Sequence, residues 1–169
     1  NKRLIGLLSW RLRRRHIHRP EALAALVRDL QACRPDHVVV TGDIVNIALP
    51  AEFEAAAAWL QALGTPETVT VVPGNHDAYV RVPRACSLAR WDAFMRGDAP
   101  ASADDGFPFL RRRSGVALIG LTTAEPSPPG MAYGALRERQ IERLAATLAA
   151  QRQAGNFRVV LLHHRPIGE

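Results

Sequence analysis

The sequence concentrates ligand and proton-transfer groups in one short stretch, residues 75–77, which read Asn-His-Asp. Amide and carboxylate oxygens can bind a hard metal ion, and an imidazole can bind a metal or transfer a proton near neutral pH. The stretch follows a β-branched run, Thr68–Val72, and a Pro-Gly pair that turns the chain. Because open α/β sheets bind ligands beyond the carboxyl ends of their strands, we expect a functional site here, although a polar turn would also suit these residues.

Two further stretches have the same construction. His37–Thr41 has the composition of a buried strand and leads into Gly-Asp-Ile-Val-Asn at residues 42–46. Arg158–Leu162 leads into His-His-Arg-Pro at residues 163–166. Three predicted strands that each deliver oxygen or imidazole groups at their carboxyl ends are difficult to explain by turn chemistry alone. Together they predict a metal-dependent site.

In this order, the motifs GDIVN, GNHD and LLHHRP resemble those of the calcineurin-like metallophosphoesterase family. The family pattern is D-x-H, G-D-x-x-[N/D], G-N-H-[D/E], a strand that ends in His, and G-H-x-H, of which the middle three motifs are present. The resemblance implies an α/β fold, a metallophosphoesterase-type β-sandwich of mainly parallel sheets flanked by helices. Neither D-x-H nor G-H-x-H occurs within residues 1–169, so we expect this single domain to be partial, incomplete at both ends.

The resemblance also implies a dinuclear centre with two divalent ions, for which manganese, iron and zinc all remain open. Two cations about 3.5–4 Å apart can hold the attacking oxygen, neutralise the phosphoryl group and stabilise the leaving oxygen. Asp43 is implied to bridge the two ions, and Asn75 and His163 are implied to be ligands of the second one. Taken singly, Asp43 would also suit a helix N-cap and His163 a buried core position.

Two residues beside the predicted ligands are expected to act on the substrate. The resemblance implies that His76 hydrogen-bonds the phosphoryl group and assists the departure of the leaving group. We predict that the Asp77 carboxylate orients this imidazole. Asn46 is expected to support the loop that carries Asp43. The other supporting residues of the predicted site are Gly42, Gly74 and His164, the last of which is a less suitable ligand than His163.

Three helices are predicted, one before the first strand and two between strands. Pro20–Ala32 should form one helix and Pro50–Leu63 a second. The predicted buried stripe of the first helix comprises Leu23, Leu26, Val27 and Leu30. After a further strand over Val116–Leu121, Leu136–Arg152 predicts a third helix. This alternation of strands and helices indicates a mainly parallel sheet with helices on its faces.

The composition is that of an ordinary globular protein: 47% of the 169 residues are hydrophobic and 22% are charged. Only two cysteines are present, which argues against a disulfide framework and favours a cytoplasmic location. The basic N-terminal segment leaves a peripheral association with a membrane open. No apolar run in the sequence approaches the length of a membrane span.

The net charge is +6, and seven of the 22 basic residues lie in segment 1–19, which also contains Trp10. We expect a basic, Trp-containing amphipathic helix in this segment. It would either lie on an anionic membrane surface, or cover the site, or pack on the domain with its arginines in water. The His-Ile-His of residues 16–18 is predicted to be a loop rather than a metal site.

The predicted function is metal-dependent hydrolysis of phosphate esters, with a phosphodiesterase as the preferred interpretation. The resemblance leaves the substrate open among cyclic nucleotides, glycerophosphodiesters, lipid-linked pyrophosphates and nucleic acids, and the oligomeric state is open too. One alternative is a nuclease of the same family. The other is a basic module that binds nucleic acid or a membrane surface on a degenerate phosphoesterase fold, which would show salt-sensitive binding without turnover.

Overall fold

The computed structural model describes residues 2–14, 19–99, 106–128 and 130–166 of the 169-residue chain. Within these ranges the chain forms four α-helices and five strands. The α-helices are α1 Lys2–Ser9, α2 Pro20–Ala32, α3 Pro50–Leu63 and α4 Glu138–Gln153. The strands are β1 Val38–Val40, β2 Val69–Val71, β3 Phe109–Arg113, β4 Val116–Gly120 and β5 Phe157–Leu161. A π-helical segment covers Trp10–Arg14, and short 3-10 helices cover Arg84–Cys86 and Leu88–Met95.

The described strands form two sheets. β1 pairs with β2 in parallel, with Val39 opposite Thr70. The second sheet has the order β3-β4-β5, in which β4 runs antiparallel to β3 and parallel to β5. Each predicted strand and helix is present with slightly different ends, and the predicted α/β fold class is confirmed.

Strand β3 is the element that the sequence pattern does not predict. Its sequence, Phe-Leu-Arg-Arg-Arg, contains three consecutive cations, which are typical of a solvated segment. In the structure Arg111 is only 3% exposed, and its guanidinium donates to the carbonyl oxygens of Val69, Ala93 and Arg96 at 2.6–2.8 Å. Backbone carbonyls from distant parts of the chain replace water around this charge, so the strand depends on tertiary contacts.

Most buried apolar side chains of the described residues form one core to which α3 and both sheets contribute. Phe53 and Leu60 of α3 are fully buried, and the Phe53 ring stacks on Trp91 with ring centroids 5.3 Å apart. Val71 of β2 and Leu161 of β5 belong to the same core. Because a close-packed core resists deformation, the loops that follow β1, β2 and β5 are held in fixed relative positions.

Helix α2 is less buried than its sequence predicts. Leu23 and Leu26 are 46% and 64% exposed, and no residue of this helix is fully buried. The predicted buried stripe is therefore wrong for these two leucines, while Val27 and Leu30 are half-buried. An apolar period identifies a helix and one of its faces, but the fold decides how many other elements pack against that face.

Helix α1 packs on the domain through the buried Gly6 and two basic side chains. Lys2 Nζ donates to the carbonyl oxygen of Tyr79 at 2.8 Å, and Arg3 donates to that of Ala48 at 2.6 Å. Burial lowers the pKa of Lys2. The exposed side of the helix is apolar, with Leu4, Ile5 and Leu8 each more than half exposed. The alternative in which the arginines of this segment stay in water is thus wrong for Arg3, whereas Arg11 is exposed.

Within the described ranges, no helix combines the length and the apolar character that crossing a membrane requires. The predicted loop at residues 16–18 lies outside the described residues. The cytoplasmic location and the peripheral membrane contact stay predictions.

Candidate metal centre and active site

The loops that follow β1 and β2 are joined by one buried carboxylate, that of Asp77, which is 3% exposed. Its Oδ1 accepts the backbone N–H groups of Ile44 and Val45, each at 3.1 Å. Its Oδ2 accepts those of Asp43 and Gly74, at 2.9 and 2.8 Å. Burial raises the pKa of Asp77, and the nearby Asp43 carboxylate adds to the rise, while the backbone N–H donors oppose it. The carboxylate therefore fixes the two site loops to each other.

Two glycines allow these loops to touch. Gly42 has a φ of 89°, a backbone conformation that favours glycine. A Cβ at Gly42 would lie 2.3 Å from the backbone N of Gly74, and a Cβ at Gly74 would lie 2.2 Å from Asp43 Oδ1. A side chain at either position would push the loops apart. Both glycines thus lie at the close contact that places the Asp43 carboxylate.

The structure brings together the three predicted metal ligands, Asp43, Asn75 and His163. His163 Nε2 is 3.4 Å from Asp43 Oδ2 and 3.2 Å from Asn75 Oδ1. On the other side of the ring, His163 Nδ1 is 2.6 Å from the carbonyl oxygen of Thr41. Because a carbonyl oxygen only accepts, Nδ1 carries the ring hydrogen, and in the neutral ring Nε2 directs a lone pair at the two oxygens.

This set of donor atoms fits a divalent cation. An imidazole nitrogen, a carboxylate oxygen and an amide oxygen all offer electron pairs, so their approach is favourable when a positive charge lies between them. Two ligands about 2.1 Å from one ion are about 3.0–3.4 Å apart, and the distances from His163 Nε2 are 3.2 and 3.4 Å. Among the described residues, no group of three or more His, Cys, Asp or Glu side chains could hold a metal ion. The set therefore depends on the amide of Asn75.

His76 lies beside this set and is held by backbone groups. Its Nδ1 is 2.5 Å from the carbonyl oxygen of Asn46, and its backbone N–H donates to Asp43 Oδ1 at 2.9 Å. Its ring stacks on Tyr79 with centroids 5.5 Å apart. The expectation that Asp77 orients the His76 imidazole is wrong, because both Asp77 oxygens accept backbone N–H groups and the Asn46 carbonyl occupies His76 Nδ1.

His164 lies next to the set without joining it. Its Nδ1 pairs with Thr123 Oγ1 at 2.7 Å, and its Nε2 is buried without a hydrogen-bond partner among the described residues. Burial lowers the pKa of His164, and the adjacent His163 adds to this effect. Its supporting role stays a prediction. Sequence reasoning missed Thr123 and the carbonyl group of Thr41, because a main-chain oxygen and a lone loop hydroxyl have no sequence signature.

A cavity of about 850 Å³ opens beside the site. Its lining includes Asp43, Asn46 and His76 from the two site loops, and Leu7 and Trp10 from the N-terminal helices. A cavity of this size can accommodate a small-molecule substrate next to the candidate ligands.

An aspartate, an asparagine and a histidine follow β1, β2 and β5, which belong to the two sheets, and a second histidine and a cavity lie beside them. These features define an α/β protein with a site suited to metal-dependent chemistry. The family model for calcineurin-like phosphoesterases matches residues 16–168. The chain belongs to this family, and the resemblance seen in its three motifs is confirmed.

Several curated relatives are phosphodiesterases by name. A glycerophosphodiester phosphodiesterase of Enterobacter lignolyticus is 33% identical over 135 residues, which are 79% of this chain and 43% of that protein. A probable cyclic nucleotide phosphodiesterase of Synechococcus is 25% identical over 144 residues, 85% of this chain and 48% of that protein. A cAMP/cGMP dual specificity phosphodiesterase of Mycobacterium tuberculosis is 28% identical over 137 residues, 79% of this chain and 38% of that protein. The chain thus spans less than half the length of each.

Proposed function

We propose that the protein carrying this chain is a metal-dependent phosphodiesterase with its active site at the carboxyl ends of β1, β2 and β5. The observation that supports this most directly is the convergence of Asp43, Asn75 and His163, three electron-pair donors that follow three separate strands. The names of the relatives, a glycerophosphodiesterase and two cyclic nucleotide phosphodiesterases, favour a diester as the substrate class.

The centre would be dinuclear, with Asp43 as the bridging residue and Asn75 and His163 as ligands of the second ion. The mixed oxygen and nitrogen donors suit manganese, iron or zinc. When bound, such ions would neutralise the charge of the phosphoryl oxygens and acidify a water molecule. The protein contributes a pre-formed arrangement, because the Thr41 carbonyl fixes the His163 ring and Asp77 fixes the loop of Asp43.

His76 is the residue that we propose to meet the phosphoryl group. Since its Nδ1 donates to the Asn46 carbonyl, Nε2 is the ring nitrogen left for the substrate. As an imidazolium, Nε2 would donate a hydrogen bond to a phosphoryl oxygen and could transfer that proton to the leaving alkoxide. The Asp43 contact to its backbone and the Tyr79 ring against its face hold the imidazole in place.

The test is hydrolysis of bis(p-nitrophenyl) phosphate and p-nitrophenyl phosphate by the protein at its full natural length. The protein would be treated with chelator and reloaded with manganese, and its metal content measured by mass spectrometry. We expect metal-dependent turnover that favours the diester. His76→Ala should lower kcat about 10²–10⁴-fold with unchanged metal content, whereas Asp43→Ala and Asn75→Ala should lower metal occupancy.

Asp36→Ala is the matched control, because Asp36 is an exposed aspartate outside the site. It should retain both metal and turnover. Full metal occupancy in Asp43→Ala and Asn75→Ala would contradict the proposed centre, and full turnover in His76→Ala would contradict the role of that histidine. Salt-sensitive binding of nucleic acid without any turnover would favour a binding module instead.

A further inference from the structure

The cavity beside the site has a large apolar wall that cleavage of a phosphate ester does not itself require. The wall is assembled from the N-terminal helices, α2, the loop after β1, and α3. Its main apolar side chains are Leu7, Trp10, Leu23, Ile44, Ile47 and Trp59. With a volume of about 850 Å³, the cavity is larger than a bare phosphate group needs. The remaining space must therefore suit whatever group the phosphate carries.

Three of the four polar side chains of the lining already have another role, and the exception is the amide of Asn46. The four are Asp43, Asn46, Glu52 and His76, of which Asp43 and His76 belong to the proposed centre. Glu52 Oε2 accepts the backbone N–H groups of Ile47 and Leu49 at 3.0 and 2.9 Å, so it stabilises the start of α3. The side chains of the apolar wall offer no acceptor, and their only donors are the indole N–H groups of Trp10 and Trp59. Away from the Asn46 amide, a hydroxylated group against this wall would therefore lose most of its hydrogen bonds to water.

The part of the wall contributed by the N-terminal helix is fixed to the site. Lys2 Nζ donates to the carbonyl oxygens of Tyr79 and Ser127, at 2.8 and 2.7 Å. A Cβ at Gly6 would lie 2.6 Å from the Tyr79 hydroxyl, which shows how closely the helix packs there. The same Tyr79 ring stacks on His76. The helix that supplies Leu7 is thus tied to the residue that stacks on the proposed catalytic histidine.

We propose that this cavity binds an apolar substituent on one ester of the phosphodiester, so that the apolar wall determines which diesters the site selects. This inference rests on the proposed function and names the substrate class of the same site. An aromatic ring and a hydrocarbon chain share the required chemistry, because burial of either one makes binding more favourable in proportion to the apolar area removed from water. A polar substituent such as a glyceryl group does not.

Affinity measured without turnover tests the inference. Isothermal titration calorimetry of the full-length, manganese-loaded protein would compare diphenyl, dibutyl and bis(2-hydroxyethyl) phosphate, which carry the same single charge. At least one apolar diester should bind about 10–100-fold more tightly than the hydroxylated one. The ratio between the diphenyl and dibutyl esters shows whether a ring or a chain is preferred. Leu7→Ala and Trp59→Ala should each reduce the apolar preference.

Leu8→Ala is the matched control, since Leu8 lies on the same helix but is 59% exposed and outside the cavity lining. It should leave the preference unchanged. Equal affinities for the three diesters, or tighter binding of the hydroxylated one, would overturn the inference. So would an apolar preference that survives both Leu7→Ala and Trp59→Ala. An apolar preference in a protein without metal-dependent hydrolysis would support the cavity and count against the catalytic proposal alone.

Discussion

Replacement of Asp77 by Asn separates a structural role of this residue from a direct role in the chemistry. The change keeps the shape of the side chain, but it converts one acceptor oxygen into an NH2 donor. In either orientation of the amide, this donor faces two backbone N–H groups, those of Ile44 and Val45 or those of Asp43 and Gly74. Two accepted hydrogen bonds are lost, and their donors are left inside the protein.

The magnitude follows from these contacts. A buried donor that loses its partner costs about 1–3 kcal/mol, so two of them cost about 2–6 kcal/mol. Burial raises the pKa of Asp77, which means that the protein stabilises the carboxylate less than water does, and removal of this charge offsets part of the loss. We expect Asp77→Asn to lower the free energy of unfolding by about 2–4 kcal/mol, a large share of the stability of a typical domain.

Urea denaturation followed by circular dichroism measures this quantity. Asp36→Asn makes the same chemical change at an exposed aspartate and should stay within about 0.5 kcal/mol of the unsubstituted protein. A loss below about 1 kcal/mol in Asp77→Asn, compared with that control, would refute the structural role. If stability were unchanged while the pH dependence of turnover shifted, Asp77 would act on His76 after all.

Three further predictions concern stability. Burial and the nearby charges of Arg113 and Arg111 lower the pKa of His37 from 6.5, so the unfolded chain takes up a proton first as the pH falls. The free energy of unfolding should therefore decrease below pH 6.5. Urea denaturation at a series of pH values should show a smaller decrease in His37→Gln than in the unsubstituted protein. Arg111→Lys should lower the free energy of unfolding by about 3 kcal/mol or more, because Lys cannot reproduce the several bonds of the guanidinium. Phe53→Ala should cost about 3–5 kcal/mol in urea denaturation, because it removes a fully buried ring from the core.

Each of these three predictions has an outcome that would contradict it. A pH dependence in His37→Gln equal to that of the unsubstituted protein would contradict the first. Arg158→Lys, at an exposed arginine of β5, should be nearly neutral, and an equally small effect of Arg111→Lys would show that the buried guanidinium contributes little. For Phe53→Ala, the conservative Phe53→Leu should cost clearly less, and equal losses would contradict a contribution from the size of the ring.

Most elements of the fold could be predicted from the sequence, because their signals are local. Four β-branched or aliphatic runs predicted β1, β2, β4 and β5, and apolar periods before and between them predicted α2, α3 and α4. Motif residues placed directly after strands also predicted that Asp43, Asn75 and His163 would lie together, since α/β sheets bind ligands beyond the carboxyl ends of their strands. In the structure β5 belongs to a different sheet from β1 and β2, and the three strand ends meet at the site.

Strand β3 and the orientation of α1 could not be predicted in this way. Three arginines in β3 and the basic residues at the start of α1 indicate solvated surfaces when the sequence is considered locally. In the folded chain, Arg111 and Lys2 find backbone carbonyl oxygens that belong to other elements. Carbonyl groups are present at every residue, so no residue type marks the ones that will accept such a bond.

The roles of the residues within the site also depend on contacts with distant backbone groups. The sequence determined which side chains follow the strands, and therefore which chemistry is available. Only the tertiary structure decided that Asp77 binds the backbone of both loops and that His76 pairs with the carbonyl of Asn46. The hydrogen bond between His163 and Thr41 joins groups 122 residues apart in the chain. Residue types and their spacing are local properties, whereas the partner of a polar atom depends on which distant segments the core brings into contact with it.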